Sequence, residues 1–287
     1  MTTLMTQQDW KRHIKKLKAE ANPPMTDKAE IKKQLKKAIK EAIQKRIPKE
    51  RFGVMLSGGV DSSLIAMVCR QLKAEFICYT VGIKGSKDLT EAKKTAKKLR
   101  LKLRWKEFKI EEAEAIIKKA VKITREANVI NAGVAAVEIA AIQLAAKERI
   151  RTFLGGLGSE EIFAGYQRHE KAGDINEECW NGLEEMHARD MVRDSKVAKA
   201  MKADLIAPFL DTELIKLAMR IPAQYKISGE KKKLILREAA AEMGMPRETA
   251  FRKKIAAQYG SGMDKAMEKI AKAKGFGNKS SYLKSLL

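Results

Sequence analysis

Residues 56–67 read LSGGVDSSLIAM. Just before them, Phe52-Gly53-Val54-Met55-Leu56 is a short apolar run, the pattern of a strand buried in a parallel sheet. After them, residues 62–73 have the composition of a helix. Gly58 and Gly59 let the chain turn sharply between the two and leave no side chain in the way. The amides that follow, with the hydroxyls of Ser57 and Ser62 or Ser63, make a cradle for an anion, most simply a phosphate chain. The loop has no lysine, so it is not G-x-x-x-x-G-K-[ST]. It has Asp61 instead. A carboxylate repels phosphate unless a cation sits between them, so Asp61 reads as a magnesium ligand. The competing reading is an ordinary strand–turn–helix with Asp61 as the helix N-cap.

Working outward, strands and helices alternate. Residues 76–81 form a second apolar run closed by Gly82, residues 102–108 a third strand, and residues 151–154 a fourth, closed by Gly155-Gly156. Helical patterns fill 88–99, 111–127 and 134–149. The fold class is therefore α/β, an open and mostly parallel sheet with helices on both faces. Ligands in such sheets bind beyond the carboxyl ends of the strands, so the loops after Leu56, Val81 and Leu154 are expected to converge. Ahead of the sheet, residues 1–21 read as a helix stopped by Asn22-Pro23-Pro24. A second helix starts near Asp27, with Ile31, Leu35, Ile39, Ile43 and Ile47 on one stripe, and ends at Pro48. Past residue 158 the pattern is helical, over 181–202, 211–220 and 231–243. The expected organisation is N-terminal helices over 1–50, an α/β core over 51–170 and a helical part over 171–287.

Composition narrows the class. The chain of 287 residues carries 59 Lys plus Arg against 36 Asp plus Glu, a formal net charge of +23. Such a field attracts phosphate polymers, tRNA or other RNA among them. Lysines spread along nearly every helix are equally the mark of a lysine-rich or heat-adapted surface. No apolar run looks long enough to span a bilayer, no signal-peptide core is visible, and no membrane partner is expected. Cys69, Cys78 and Cys179 are widely spaced and give no disulfide framework, which fits a reducing cytoplasm. The spacing of His13, His169 and His187 fits no zinc site, with surface or core placement expected for His169. Trp10, Trp105 and Trp180 read as packing residues.

SGGVDSS resembles the PP-loop of the ATP pyrophosphatases, which split ATP between the α- and β-phosphates. Further strings narrow the likeness. LGGLGSEEIFAGYQRH (154–169), APFLDTELIKLAMRIP (207–222), EKKKLILREAA (230–240) and FRKKIAAQYGSG (251–262) are similar, in order, to blocks of the asparagine synthetase C-terminal domain family. LGSEEIFAGYQRH is most similar to the asparagine synthetase domain-containing protein 1 branch. The resemblance implies ATP and Mg2+ as cofactors, and a small-molecule carboxylate and ammonia or an amine as substrates. It implies that Ser57, Gly58, Gly59, Asp61 and Ser62 hold pyrophosphate and metal, and that the Val81 backbone meets the adenine. Gly155 and Gly156 would flank the ribose and adenylate, and Glu160 would help place magnesium. Lys233, with Arg237 four residues on, would stabilise charge on the departing pyrophosphate.

Two departures matter. Where the family carries a carboxylate (SGEGSDE or SGDGADE) this chain has GGLGSEE, with Leu157 in that place. The family carboxylate manages protons as ammonia attacks, and leucine cannot. The Cys that follows Met1 in glutamine-dependent members is Thr2 here, so nitrogen is expected as ammonia or from a separate glutaminase subunit. The leading expectation is an AMP-forming carboxylate–amine ligase. An RNA-modifying PP-loop enzyme and a non-catalytic ATP-binding subunit are the alternatives.

Overall fold

The computed structural model describes residues 5–21, 23–253 and 256–287. Asn22 of the expected helix stop and two residues of the 251–262 string lie outside these. Five strands form one all-parallel sheet in the order β3-β2-β1-β4-β5: β1 (Phe52–Met55), β2 (Phe76–Ile83), β3 (Leu103–Phe108), β4 (Thr152–Leu154) and β5 (Asp204–Ile206). The chain winds outward from β1 to β3, then returns to the other side of β1 for β4 and β5. The order therefore reverses between β1 and β4, and the crevice beyond their carboxyl ends is where a ligand is expected.

The sheet separates two cores. Phe52, Val54, Leu56 and Cys78 face one; Ile77, Tyr79, Val81 and Phe153 face the other, as the alternation of strand side chains requires. The first core is covered by α1 (Gln7–Glu20), α2 (Lys28–Gln44), α3 (Val60–Gln71) and α4 (Lys87–Lys98) with later helices. The second is covered by α5 (Ile110–Thr124), α6 (Val129–Ala146) and the helix Met263–Ala273. Gly53 is required where β1 is squeezed: a Cβ there would lie 2.4 Å from the Phe153 ring.

The α2 stripe is as expected up to Ile43, but α2 ends at Gln44 rather than Pro48, so Ile47 lies past the helix and is only partly buried. Ile31, Leu35, Ile39 and Ile43 are buried, and the Asp27 carboxylate accepts from the Ala29 amide at 2.8 Å. Several expectations need correction. α6 starts at Val129 rather than 134, because Asn128 Oδ1 accepts from the Ile130 and Asn131 amides and caps it there. At 18 residues and mean hydropathy 1.8, α6 is long and apolar enough to cross a membrane, contrary to expectation. Its Ala132, Ala135, Ala136 and Ile139 are instead buried in the second core. The helix expected over 181–202 is Ile175–Met186, a π-helical turn His187–Met191 and Val192–Met201. β5 was not foreseen, and it takes the sheet into the part expected to be helical. Trp10 and Trp180 are buried, but Trp105 is 52% exposed, because β3 is an edge strand. Lys93 sits over its ring.

Candidate active site

The loop after β1 turns as its glycines foretell. Gly58 has φ +72°, and a Cβ on it would meet the α4 backbone at Glu91 and Ala92 within 2.8 Å. It therefore serves the turn by packing on α4, while Ser57, Gly59, Asp61 and Ser62 line the cleft. Ser62 Oγ accepts from the Ser57 amide at 3.2 Å, and Ser57 Oγ accepts from the Gly59 amide at 3.3 Å. The hydroxyls thus brace the loop. The helix N-cap is Gly59, not Asp61, so the N-cap reading of the aspartate fails.

Asp61 instead faces the loop after β4 and the late lysine block. Lys233 Nζ donates to Asp61 Oδ1 at 2.7 Å, Ser159 Oγ at 2.9 Å and Glu160 Oε1 at 2.5 Å. All four side chains are buried, Lys233 to 1% exposure. Burial pulls the Lys233 amine below its ordinary range, and Asp61 opposes that pull. The expected helix over 231–243 begins only at Leu234. Ser228 and Lys231 exchange backbone hydrogen bonds in a tight turn, and Lys233 takes a left-handed conformation (φ 55°). That geometry turns Lys233 inward, while Lys231 is exposed and Lys232 pairs with Glu170 at 3.1 Å.

Other glycines are set by close approach. A Cβ on Gly156 would lie 3.0 Å from Asp61 Cβ; one on Gly165 would lie 1.7 Å from Glu160 Oε2 and 2.5 Å from Lys233 Cε. Gly155 has nothing among the described residues within 4 Å of a Cβ position, so its face of the cleft is open. Val81 also lines the cleft, although β2 continues past it to Ile83. Arg237 is placed differently from Lys233. Its guanidinium donates to the carbonyls of Lys232, Ala250 and Arg252, at 2.8, 2.6 and 2.8 Å. It braces the segments around Lys233 and is not hydrogen-bonded to the carboxylates. Arg252 in turn donates to the Ser57 carbonyl and to Asp88, each at 2.9 Å. Ser159, Gly165 and Arg252 were not singled out in the sequence, though each lies in or beside a quoted string.

The cleft measures ≈ 2880 Å³ and runs from this floor to a far wall made by α6 and residues 189–199. Leu157 lies on its lining, partly buried. Its neighbour Glu161 is fully buried and accepts from Arg189 Nη2 at 2.6 Å. Burial, with Asp190 nearby, holds the Glu161 carboxyl above its usual range.

No group of three or more metal-ligating side chains occurs among the described residues. Magnesium does not need one: it is commonly held by one or two carboxylates with substrate phosphates and water. Asp61 and Glu160, both oxygen donors on one lysine amine beside the anion loop, fit that use.

A glycine-turned loop at the switch point, facing a buried lysine–carboxylate cluster, is the arrangement of the PP-loop class. The Asparagine synthase family model matches residues 30–174 and 167–280, and the chain belongs to that family. It is 34% identical to "Putative asparagine synthetase [glutamine-hydrolyzing] 1" of Methanocaldococcus jannaschii, over 80% of this chain and 49% of that protein. It is 29% identical to "Asparagine synthetase B [glutamine-hydrolyzing]" of Escherichia coli K12, over 80% of this chain and 44% of that protein. The chain thus spans about half the length of the curated relatives it matches. Among solved structures, NMN synthetase from Francisella tularensis aligns at TM-score 0.45 and 12% identity, covering 90% of this chain and 92% of that one.

Proposed function

We propose that this chain adenylates a carboxylate with ATP and joins the activated acyl group to ammonia or a primary amine. The observation that carries the reading is Lys233: a buried amine held by Asp61, Ser159 and Glu160 beside the loop Ser57–Ser62. In the first step a carboxylate oxygen attacks the α-phosphorus of ATP. The bond from that phosphorus to the bridging oxygen breaks, and pyrophosphate leaves with the electron pair. Negative charge grows on the leaving group, and a cation fixed there in a site of low dielectric lowers the barrier. Lys233 supplies one such charge. Magnesium, held by Asp61 and Glu160, would supply Lewis-acid stabilisation of the phosphate oxygens. In the second step the amine nitrogen attacks the acyl carbon, the bond from that carbon to the phosphate oxygen breaks, AMP leaves with the electron pair, and the nitrogen loses its proton to solvent. Leu157 offers no acceptor for that proton.

The test is to incubate the protein with ATP labelled at the α-phosphate, magnesium and a panel of carboxylates, with and without ammonium. AMP and pyrophosphate in equal amounts are expected. ADP and phosphate with no AMP would overturn the reading.

A further inference from the structure

Arg252 joins the two sides of the cleft floor, and the adenylation step described above does not use it. Its Nη1 donates to the Ser57 carbonyl at 2.9 Å, where the loop Ser57–Ser62 begins, and its Nη2 donates to Asp88 Oδ1 at 2.9 Å. The Arg252 carbonyl in turn accepts from Arg237 Nη1 at 2.8 Å. Arg237 Nε donates to the carbonyl of Lys232, the residue before Lys233, also at 2.8 Å. Two arginines in series therefore run from the lysine on one side of the anion site to the first peptide of the loop on the other.

Asp88 anchors the series. It is buried in the first turn of α4, and Gly260 packs so closely on it that a Cβ there would lie 2.2 Å from Asp88 Oδ2. The next residue, Ser261, accepts from the Ile83 amide at 2.8 Å, which ties this stretch to the carboxyl end of β2. The Arg252 side chain is only 13% exposed, and Asp88 meets its charge. It is thus placed to orient the loop rather than to supply charge to a ligand. In a trans peptide the carbonyl and the following amide point opposite ways, so fixing the Ser57 carbonyl fixes the Gly58 amide. The grip of such a loop on an anion depends on where its amides point.

We propose that Arg252 is a positioning residue. Held by Asp88 and Arg237, it sets the first peptide of the loop and the spacing between that loop and Lys233, and so fixes where the two terminal phosphates of the nucleotide lie. The task needs the guanidinium fork, whose N–H groups donate in fixed directions to a carbonyl and a carboxylate at once. A lysine there keeps the charge and loses the fork. The inference rests on the reading of the loop as a pyrophosphate site, and not on the identity of the carboxylate or the amine.

Calorimetric titration with magnesium pyrophosphate tests the role without turnover. Arg252→Ala should weaken binding about tenfold or more, the scale for losing hydrogen bonds from a charged group. Asp88→Asn should weaken it too. Combined with Arg252→Ala it should cost less than about twofold more, because Asp88 acts through Arg252. Arg252→Lys should recover only part of the loss, and it carries the test if circular dichroism shows that the alanine variant does not fold. Adenosine, which has no phosphate, should bind the Arg252 variants as it binds wild type. Wild-type pyrophosphate affinity in either Arg252 variant, losses at Asp88 and Arg252 that add in full, or an equal loss for adenosine overturns the proposal. So does the absence of pyrophosphate binding by wild type. Arg252-dependent pyrophosphate binding in a protein that makes no AMP with any carboxylate upholds the positioning role and rejects the ligase reading.

Discussion

The floor of the cleft and its far wall both bury several charges, but they are built on different elements. On the floor, among the described residues, Lys233 sits against Asp61, Glu160 and a hydroxyl, in the first turns of α3 and of the short helix Ser159–Ile162 and at the cap of the helix Leu234–Glu242. On the wall carboxyls crowd one arginine, and the groups ride on the middle of α6 and the π-helical turn with its following helix. The floor sets its lysine beside the glycine-turned loop Ser57–Ser62, which suits an anionic ligand whose charge grows during reaction. The wall's carboxyls pair with Arg189 and Arg193, and Arg189 ties the wall to Glu161 beside the floor. On the reading proposed above, the difference separates two tasks in one cleft: meeting the charge of a leaving group and holding the wall in place.

The hardest test of that division is Lys233→Ala. Losing the buried charge should slow AMP formation by about 10²–10³-fold, the scale for one transition-state contact. Lys231→Ala and Lys232→Ala, on exposed or surface-paired side chains, should change it by less than about twofold, as surface ion pairs contribute little. Rates of single-turnover pyrophosphate release read both. Equal losses from all three would show that the buried geometry has no catalytic role and would erase the contrast between floor and wall.

Gly165→Ala sharpens the comparison at its boundary. The new methyl would press on the flexible ends of Glu160 and Lys233, not on backbone, so they would move and the protein would still fold. A displacement near 1 Å at a reacting centre costs up to about 10²-fold. We expect adenylation to fall by about 10- to 100-fold in a protein whose circular dichroism spectrum matches that of wild type. Adenylation at the wild-type rate would mean that the Glu160–Lys233 contact does not set the reacting geometry.

Legibility in the sequence follows the same division. Ser57–Ser62 and residues 155–160 are contiguous, because a parallel sheet brings short loops to one end, so local glycine and hydroxyl patterns suffice to read them. Lys233 was distinguished from its neighbours only by resemblance; its left-handed backbone and inward turn lie below any periodicity argument. Gly165 carries no signal until Glu160 and Lys233 are placed beside it. On the wall, Glu138 reads as one polar residue in an alanine-rich helix, and its partner Asp194 is far along the chain within what looked like one unbroken helix. The pairing depends on the π-helical turn and on how the helix after it packs against α6. β5 was missed because Asp204-Leu205-Ile206 is three residues long and only partly buried, too short for alternation to show.

The smallest expected effect concerns the joint between floor and wall. His169 is fully buried, its Nδ1 accepts from the Tyr166 amide at 3.1 Å, and its ring stacks on Tyr166. The Tyr166 ring carries Arg168 on its face, with Arg189 of the wall close by. Burial, together with Arg168 and Lys226, lowers the His169 pKa to about 4. An unfolded chain has its histidine near the ordinary value of about 6.5. Between these values the unfolded state binds a proton that the folded state refuses, so stability falls as pH drops from about 6.5 towards about 4. Above about 6.5 neither state is protonated and the histidine adds no pH dependence. With part of the shift discounted for solvent screening, the loss is about 1–2 kcal/mol. His169→Gln keeps a polar side chain of similar reach but cannot titrate. Urea unfolding at pH 7 and pH 4.5 should show a smaller drop for the variant than for wild type, by about that amount. Parallel pH profiles would mean that His169 is protonated in the folded protein, where it would place another positive charge beside Arg168 and Lys226.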